Sequence, residues 1–564
     1  MIPEPILNLA EICAQKQVLQ IVLSPGSRCA PLTLSFVRHP SLTTRVISDE
    51  RSAAYIAMGL ALETKRPSVL ICTSGTAALN YSPAVAEAFF QQIPLILLTS
   101  DRPPEWIEQQ DGQTIYQDGL YGKHVKKSYQ LPVSTEHQDA KWQTSRIINE
   151  AINLSCSYPK GPVHINVPLR EPLYSSESGQ LLYDKTLKII NLTSYNKTIS
   201  LDSWNRLTSK WDENENKLIL IGQSSFDPGL QKALNLFCQS QRIPVISEIT
   251  SNLPGLNSAI QHGELLLRGV SKLKPDLLIT AGQSIVSKRL KQFIRNHKPK
   301  EHWHIAPDSS APDTFQCLTE VVPTEAGYFF SELHKKLEKP VNSHYYDQWH
   351  KQNTVVKSVV DEFLSTAKFS ELTVVRDIIQ RLPTQTNLIL ANSMPIRWAN
   401  IIGLCDEQKE VKVYANRGTG GIDGSNSTAV GITLASSKTT ILITGDMAFF
   451  YDRNAFWHHY KMPNLRIILL NNHGGVIFRL IEGPSDQPEL QDYFETDQRL
   501  SAENTAKDFN FEYSCCTNQK SLDDHLKTFF NSSDKTKLLE IEISKTSTKE
   551  TFTELQNLIA KAYE

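Results

Sequence analysis

Short apolar runs that end in small, polar or glycine-rich residues and lead into helix-like stretches recur along this chain. Four occupy the first third, at 18–28 (VLQIVLSPGSR), 44–50 (TRVISDE), 67–77 (PSVLICTSGTA) and 94–105 (PLILLTSDRPPE). Four more lie in the last third, at 387–397 (NLILANSMPIR), 411–424 (VKVYANRGTGGIDG), 439–446 (TTILITGD) and 465–475 (LRIILLNNHGG). Strands that are apolar on both faces and alternate with helices belong to parallel sheets, so the pattern predicts α/β domains with doubly wound sheets. A middle region repeats it at 217–225, 243–249, 275–284 and 302–308, and 538–544 (LLEIEIS) reads as a strand before a helix over 548–562. Polar stretches near 175–205 and 335–355 read as connections. They divide the chain into domains 1–180, 205–335 and 355–564, and the outer two resemble each other.

Bulk properties narrow the function. Lys and Arg total 58 against 60 Asp and Glu, so no global field draws the chain to nucleic acid or to an anionic membrane, and any cationic site must be local. No apolar run approaches the ~18 residues that span a bilayer. The start, MIPEPILNLAEICAQK, lacks the apolar core of a secretory signal. The nine cysteines show neither CxxC pairs nor zinc-like spacing with histidine, which fits reduced thiols in a cytoplasmic enzyme.

In open α/β sheets, ligands bind beyond the carboxyl ends of the strands. Asp446 ends one strand and Asn472 ends another 26 positions later, which places them at neighbouring strand ends. A carboxylate and an amide oxygen suit a hard cation such as Mg²⁺ that shares its oxygen shell with phosphates. Gly445 and Gly474 would let backbone N–H groups approach a diphosphate. Near the start, Asp49 and Glu50 stand together where a buried strand gives way to an Ala-rich helix. One acid there suffices as a helix start.

Gly-Asp, about 25 residues, then Asn-Asn resembles the metal–diphosphate motif of thiamine diphosphate enzymes. The resemblance covers nearly the whole chain, as pyrimidine-binding, central and diphosphate-binding domains. Within that superfamily the chain looks most like the 2-succinyl-5-enolpyruvyl-6-hydroxy-3-cyclohexene-1-carboxylate (SEPHCHC) synthases of menaquinone and phylloquinone biosynthesis. The segments carrying this are SPGSRCAPLTL, SDERSAAYIAMGLA, TSGTAALNYSPAVAEA, LLTSDRPPE, GQSIVSKRL, NSMPIRW, YANRGTGGIDG and NNHGGVIF.

The resemblance implies a transferase that uses thiamine diphosphate with Mg²⁺ or Mn²⁺. It would decarboxylate 2-oxoglutarate and add the succinyl carbanion equivalent to isochorismate. Glu50 becomes the carboxyl that hydrogen-bonds N1′ of the cofactor's aminopyrimidine, and Asp49 keeps the helix-start role. Metal ligation falls to Asp446, Asn472 and the backbone carbonyl of Gly474. Ile422 would prop the bent cofactor, while Ile477 and Phe478 are either pocket walls or core. Ser27, Arg28, Arg102, Gln113, Lys288, Ser393, Arg397 and Arg417 would bind the two dicarboxylates. Of these, Arg28, Arg102 and Lys288 are expected nearer isochorismate, and Arg397 and Arg417 nearer the 2-oxoglutarate-derived carboxylate. Met447 and His473 replace residues common in the superfamily, and Gly112 stands where some relatives have Asn. Active sites between subunits of a homodimer or homotetramer are also implied. The rival readings are another 2-oxo acid decarboxylase or acetolactate-type synthase, and an inactive scaffold on the same fold.

Overall fold

Three six-stranded, wholly parallel sheets organise the chain. The computed structural model describes all residues except 1, 135, 175–180, 194–196, 257–258, 267–272, 338–342, 406–407, 409 and 563–564. The first sheet contains β1 (Gln20–Leu23), β2 (Thr43–Val46), β3 (Ser68–Cys72), β4 (Leu95–Asp101), β5 (Ser128–Gln130) and β6 (Val163–Pro168), in the order 2-1-3-4-6-5. The middle sheet contains β7 (Lys217–Ile221), β8 (Val245–Ser247), β9 (Ala259–Ile260), β10 (Leu277–Ala281), β11 (Glu301–Ala306) and β12 (Glu320–Pro323). Its order, 12-11-10-7-8-9, reverses at β7–β10 as in dinucleotide folds. The third contains β13 (Thr386–Leu390), β14 (Lys412–Tyr414), β15 (Thr439–Gly445), β16 (Leu465–Asn471), β17 (Glu512–Cys516) and β18 (Lys537–Glu542). Its order, 14-13-15-16-18-17, repeats that of the first sheet.

The apolar runs are these strands: β3, β4, β13 and β16 are buried along their whole length. Five strands escaped the pattern, namely β5, β6, β9, β12 and β17. β6 shows why. Its polar residues His164 and Asn166 are fully buried, and Thr99, Ser128, Asp101 and Gln130 satisfy them, so burial there carries no apolar signature. The last helix runs Lys545–Lys561, capped by Ser544.

The expected connections need correction. The described parts of 175–205 fold back on the first domain, where Tyr183 donates to Ser35 and Lys185 pairs with buried Glu11. Residues 338–342 lie outside the described set, but Ser343–Thr366 is a 24-residue helix, so the boundary at 355 falls within it. Tyr345, Trp349, Val356, Val360 and Leu364 bury one face of that helix, and its many polar residues had concealed the helical period.

The outer domains meet through helices Glu50–Thr64 and Ser425–Ala435. Gly59 and Gly431 make the crossing possible, because a Cβ on Gly59 would stand 2.2 Å from the Thr428 carbonyl and one on Gly431 2.1 Å from that of Ile56. All nine cysteines are free, five of them buried. The fold does bring His302, Asp313 and Cys317 within 4.8 Å of one another, a grouping invisible in linear spacing. Asp313 Oδ1 is engaged there by the Cys317 and Leu318 amides.

Candidate active site

β15 and β16 pair in parallel to their ends, with Gly445 opposite Leu470, so the residues that follow them are neighbours. Asp446 opens a short helix and is 1% exposed. Its Oδ1 accepts the Met447 amide at 2.9 Å, and its Oδ2 accepts the Gly474 amide at 2.6 Å and Gln498 Nε2 at 2.7 Å. Burial raises its pKa against those hydrogen bonds. Asn472 is also buried: its Nδ2 donates to Glu371 Oε1 at 2.6 Å, while its Oδ1 is buried with no partner among the described residues. A buried, unpartnered oxygen costs about 1–3 kcal/mol. Together with the Asp446 carboxylate it forms the hard oxygen set that a divalent cation requires, so these residues fit a metal. Gly474 has φ +152, and a Cβ there would lie 2.7 Å from the Glu495 carbonyl, so glycine is required.

Three supports of this centre were missed in the sequence. Glu371, in the first turn of Glu371–Gln380, accepts from Asn472 and, at 2.7 Å, from Trp398 Nε1; burial pushes its carboxyl up to about 7. Gln498 reaches both Asp446 and Asn471. Glu495, wholly buried, takes both arms of Arg479 at 2.6 and 2.7 Å and accepts the Gly475 amide on its carbonyl. Isolated acids and amides in loops carry no local pattern, so only the fold reveals them.

A cationic group lies beyond β13 and β14. Ser393, at φ +74, precedes helix Met394–Ile402, and Arg397 of that helix donates to the Ser393 carbonyl. Burial and the nearby Arg417 guanidinium both lower the pKa of Arg397. Arg417 donates to Asn392 at 3.1 Å but keeps a buried Nε with no partner among the described residues. Its loop is gripped from the first domain: the buried Glu87 carboxylate accepts the amides of Gly418 and Thr419 at 2.6 and 2.7 Å. From the middle domain, Ser284 donates to the Arg417 carbonyl, and Lys291 lies close enough for Arg417 and Arg397 to depress its pKa after burial. Lys291 itself is half-buried. Lys288, expected nearer isochorismate, is exposed at the start of helix Lys288–Asn296.

The first sheet assembles a second cationic pair. Arg28 is buried and donates to the Leu169 carbonyl at 3.0 Å and to Glu171 at 3.2 Å. Burial, then the charge of Arg102, lowers its pKa. Arg102 holds the Gly112 carbonyl with two nitrogens and Asp111 at 2.9 Å, fixing the loop that carries exposed Gln113. Exposed Ser27 adjoins Gly26, where a Cβ would collide with Thr73 at 2.3 Å.

Asp49 caps helix Glu50–Thr64, accepting the Ser52 amide at 3.0 Å, and takes Asn454 Nδ2 at 2.8 Å. Arg51 donates to the Tyr451 carbonyl and lies 4.6 Å from that ring's centre. Glu50 is left free of capping duty. Its carboxyl is half-buried and receives Asn80 Nδ2 at 3.2 Å. Ile422, Ile477 and Phe478 are each half-buried; Ile477 packs on the core and Phe478 lies against Phe494 at 5.9 Å.

Residues 8–120 match the family described as thiamine pyrophosphate enzyme, N-terminal TPP binding domain, and 191–390 match the middle domain of thiamine pyrophosphate. Over 99% of its length the chain is 44% identical to a 2-succinyl-5-enolpyruvyl-6-hydroxy-3-cyclohexene-1-carboxylate synthase of Cytophaga hutchinsonii, all of which is covered. It is 40% identical to the synthase of the same name from Flavobacterium johnsoniae, over 95% of both chains. With that of Porphyromonas gingivalis the identity is 36%, over 95% of this chain and 93% of the other.

Proposed function

Because the chain belongs to the SEPHCHC synthase family of thiamine diphosphate enzymes, we propose that it decarboxylates 2-oxoglutarate and adds the remaining four-carbon unit to isochorismate, releasing CO₂. The observation that carries this reading is the unpartnered, buried Asn472 oxygen beside buried Asp446, with two separate arginine pairs beyond the strand ends.

Thiamine diphosphate supplies the electron sink for decarboxylation when bound. Asp446, Asn472 and the Gly474 carbonyl would hold Mg²⁺ or Mn²⁺ against its diphosphate, with Gly445 and Gly474 leaving room for close approach. Glu50 would hold a proton at the aminopyrimidine nitrogen, and Ile422 would shape the cofactor's bend. Arg397 and Arg417, with Ser393, would orient the carboxylate left on the 2-oxoglutarate fragment, the spare Arg417 Nε being free to donate to it. Arg28 and Arg102, with Ser27, Gln113 and Lys288, would receive isochorismate, and Ile477 and Phe478 would exclude water.

Glu50 is half-buried in the single chain, whereas sharing a proton with the cofactor calls for a drier site. We place the missing cover on a second subunit, giving a homodimer or homotetramer with active sites between chains. Exposed Leu79, Phe90, Tyr116, Tyr451 and Trp457 support such a contact. A three-domain division with one sheet in each part, its second boundary moved ahead of helix Ser343–Thr366, and a cytoplasmic location belong to the same reading; no described helix is long and apolar enough to cross a membrane.

Incubation with both substrates, cofactor and Mg²⁺ tests it. CO₂ release should match isochorismate loss mole for mole, and pyruvate should not replace 2-oxoglutarate. Turnover of pyruvate at a comparable rate would favour the acetolactate-type alternative.

A further inference from the structure

Glu371 and Trp398 are both fully enclosed beneath Asn472. Glu371 Oε2 accepts from the indole N–H of Trp398 at 2.7 Å and Oε1 from Asn472 Nδ2 at 2.6 Å. The indole can only donate, so it claims one carboxylate oxygen and leaves the other for the Asn472 amide nitrogen. With its nitrogen committed to Glu371, the Asn472 amide has one orientation left, oxygen outward, and that oxygen is the unpartnered one beside Asp446. Charge agrees: Glu371 and Asp446 are both buried, and no lysine or arginine among the described residues forms an ion pair with either. Helix Glu371–Gln380 places its N-terminus under the carboxylate, with Ser370 and Thr373 forming the capping box that fixes the turn.

Resting on the family reading above, we propose that Glu371 is a positioning residue, held by Trp398, that locks the Asn472 amide with its oxygen toward the metal site. Ligand orientation by an outer partner typically changes metal affinity 10–100-fold.

The test is direct Mn²⁺ titration by electron paramagnetic resonance, with thiamine diphosphate present, on the full-length protein. In Glu371→Gln one carboxylate oxygen becomes an NH₂. Trp398 still claims the remaining oxygen, so Asn472 must flip and present its own NH₂ to the metal. Mn²⁺ affinity should fall about 10–100-fold. Adding Trp398→Phe removes the competing donor, frees the oxygen of the introduced amide to turn to Asn472 and should restore affinity to within about threefold of Trp398→Phe alone. Unchanged affinity in Glu371→Gln would overturn the proposal, as would a loss that the double variant does not recover, since that marks simple packing damage. Should Glu371→Gln fail to fold, the double variant against Trp398→Phe decides, and a tenfold deficit there also overturns it. An unsubstituted protein that binds no Mn²⁺ with thiamine diphosphate would instead defeat the family reading of the site.

Discussion

The first and third sheets share one strand order, yet their strand ends are prepared to different degrees. Beyond β15 and β16, Asp446, Asn472, Glu371, Gln498 and Glu495 form a closed and nearly satisfied network within one chain. Beyond β2, in the first sheet, Glu50 remains half-buried with Asn80 as its hydrogen-bond partner. One copy of the frame finishes its site alone; the other presents a carboxyl whose surroundings are incomplete. The difference teaches that two sheets of one strand order can prepare their ends differently, and the proposed function assigns anchoring to the closed end and proton handling to the open one.

The largest expected effect breaks the exposed end. Glu50→Gln should lower turnover by about 10²–10⁴-fold, while the melting temperature stays within a degree or two, because the side chain packs little in the isolated chain. Substitution in the cationic groups comes next. Arg417→Ala removes charge-assisted donors worth about 1.5–3 kcal/mol, so the KM for 2-oxoglutarate should rise roughly 10–150-fold. Arg28→Ala should act in the same way on isochorismate and leave 2-oxoglutarate nearly untouched. Steady-state kinetics with each substrate varied in turn separates the two.

Smaller effects probe how the two frames are joined and packed. Gly431→Ala forces a Cβ to within 2.1 Å of the Ile56 carbonyl, so the helices must part, at about 1–3 kcal/mol. Calorimetry should show this as a lowered melting temperature. His164, buried in β6, is held neutral down to about pH 3 by desolvation. The unfolded chain protonates that imidazole below about pH 6.5, so its contribution is complete above that pH and is lost as the pH falls toward 3. The first sheet should therefore lose about 2 kcal/mol between pH 6.5 and 5. A His164→Gln variant should show a shallower fall in melting temperature over that range.

The parts of this architecture that were legible in the sequence are those with a period or a fixed spacing. Eight apolar runs marked four adjacent strands in each outer sheet, the edge strands β2 and β14 included, and the 26-residue interval set Asp446 beside Asn472. Asp49 and Glu50 separate in the structure into a helix cap and an acid that caps nothing and accepts from Asn80. What escaped depends on contacts between distant segments. Glu371 lies 101 residues from Asn472, and Glu87 lies 331 residues from the Gly418 amide that it binds. Neither makes a local pattern.

Mixed oligomers test the central claim, that Glu50 of one chain and Asp446 of another serve one cofactor. Glu50→Gln and Asp446→Asn chains, each inactive alone, are unfolded, mixed in equal amounts and reassembled. Random pairing into two-fold dimers should restore about a quarter of the sites and a matching share of the activity. Mixed dimers that form, shown by differently tagged chains purifying together, yet remain inactive would contradict the account.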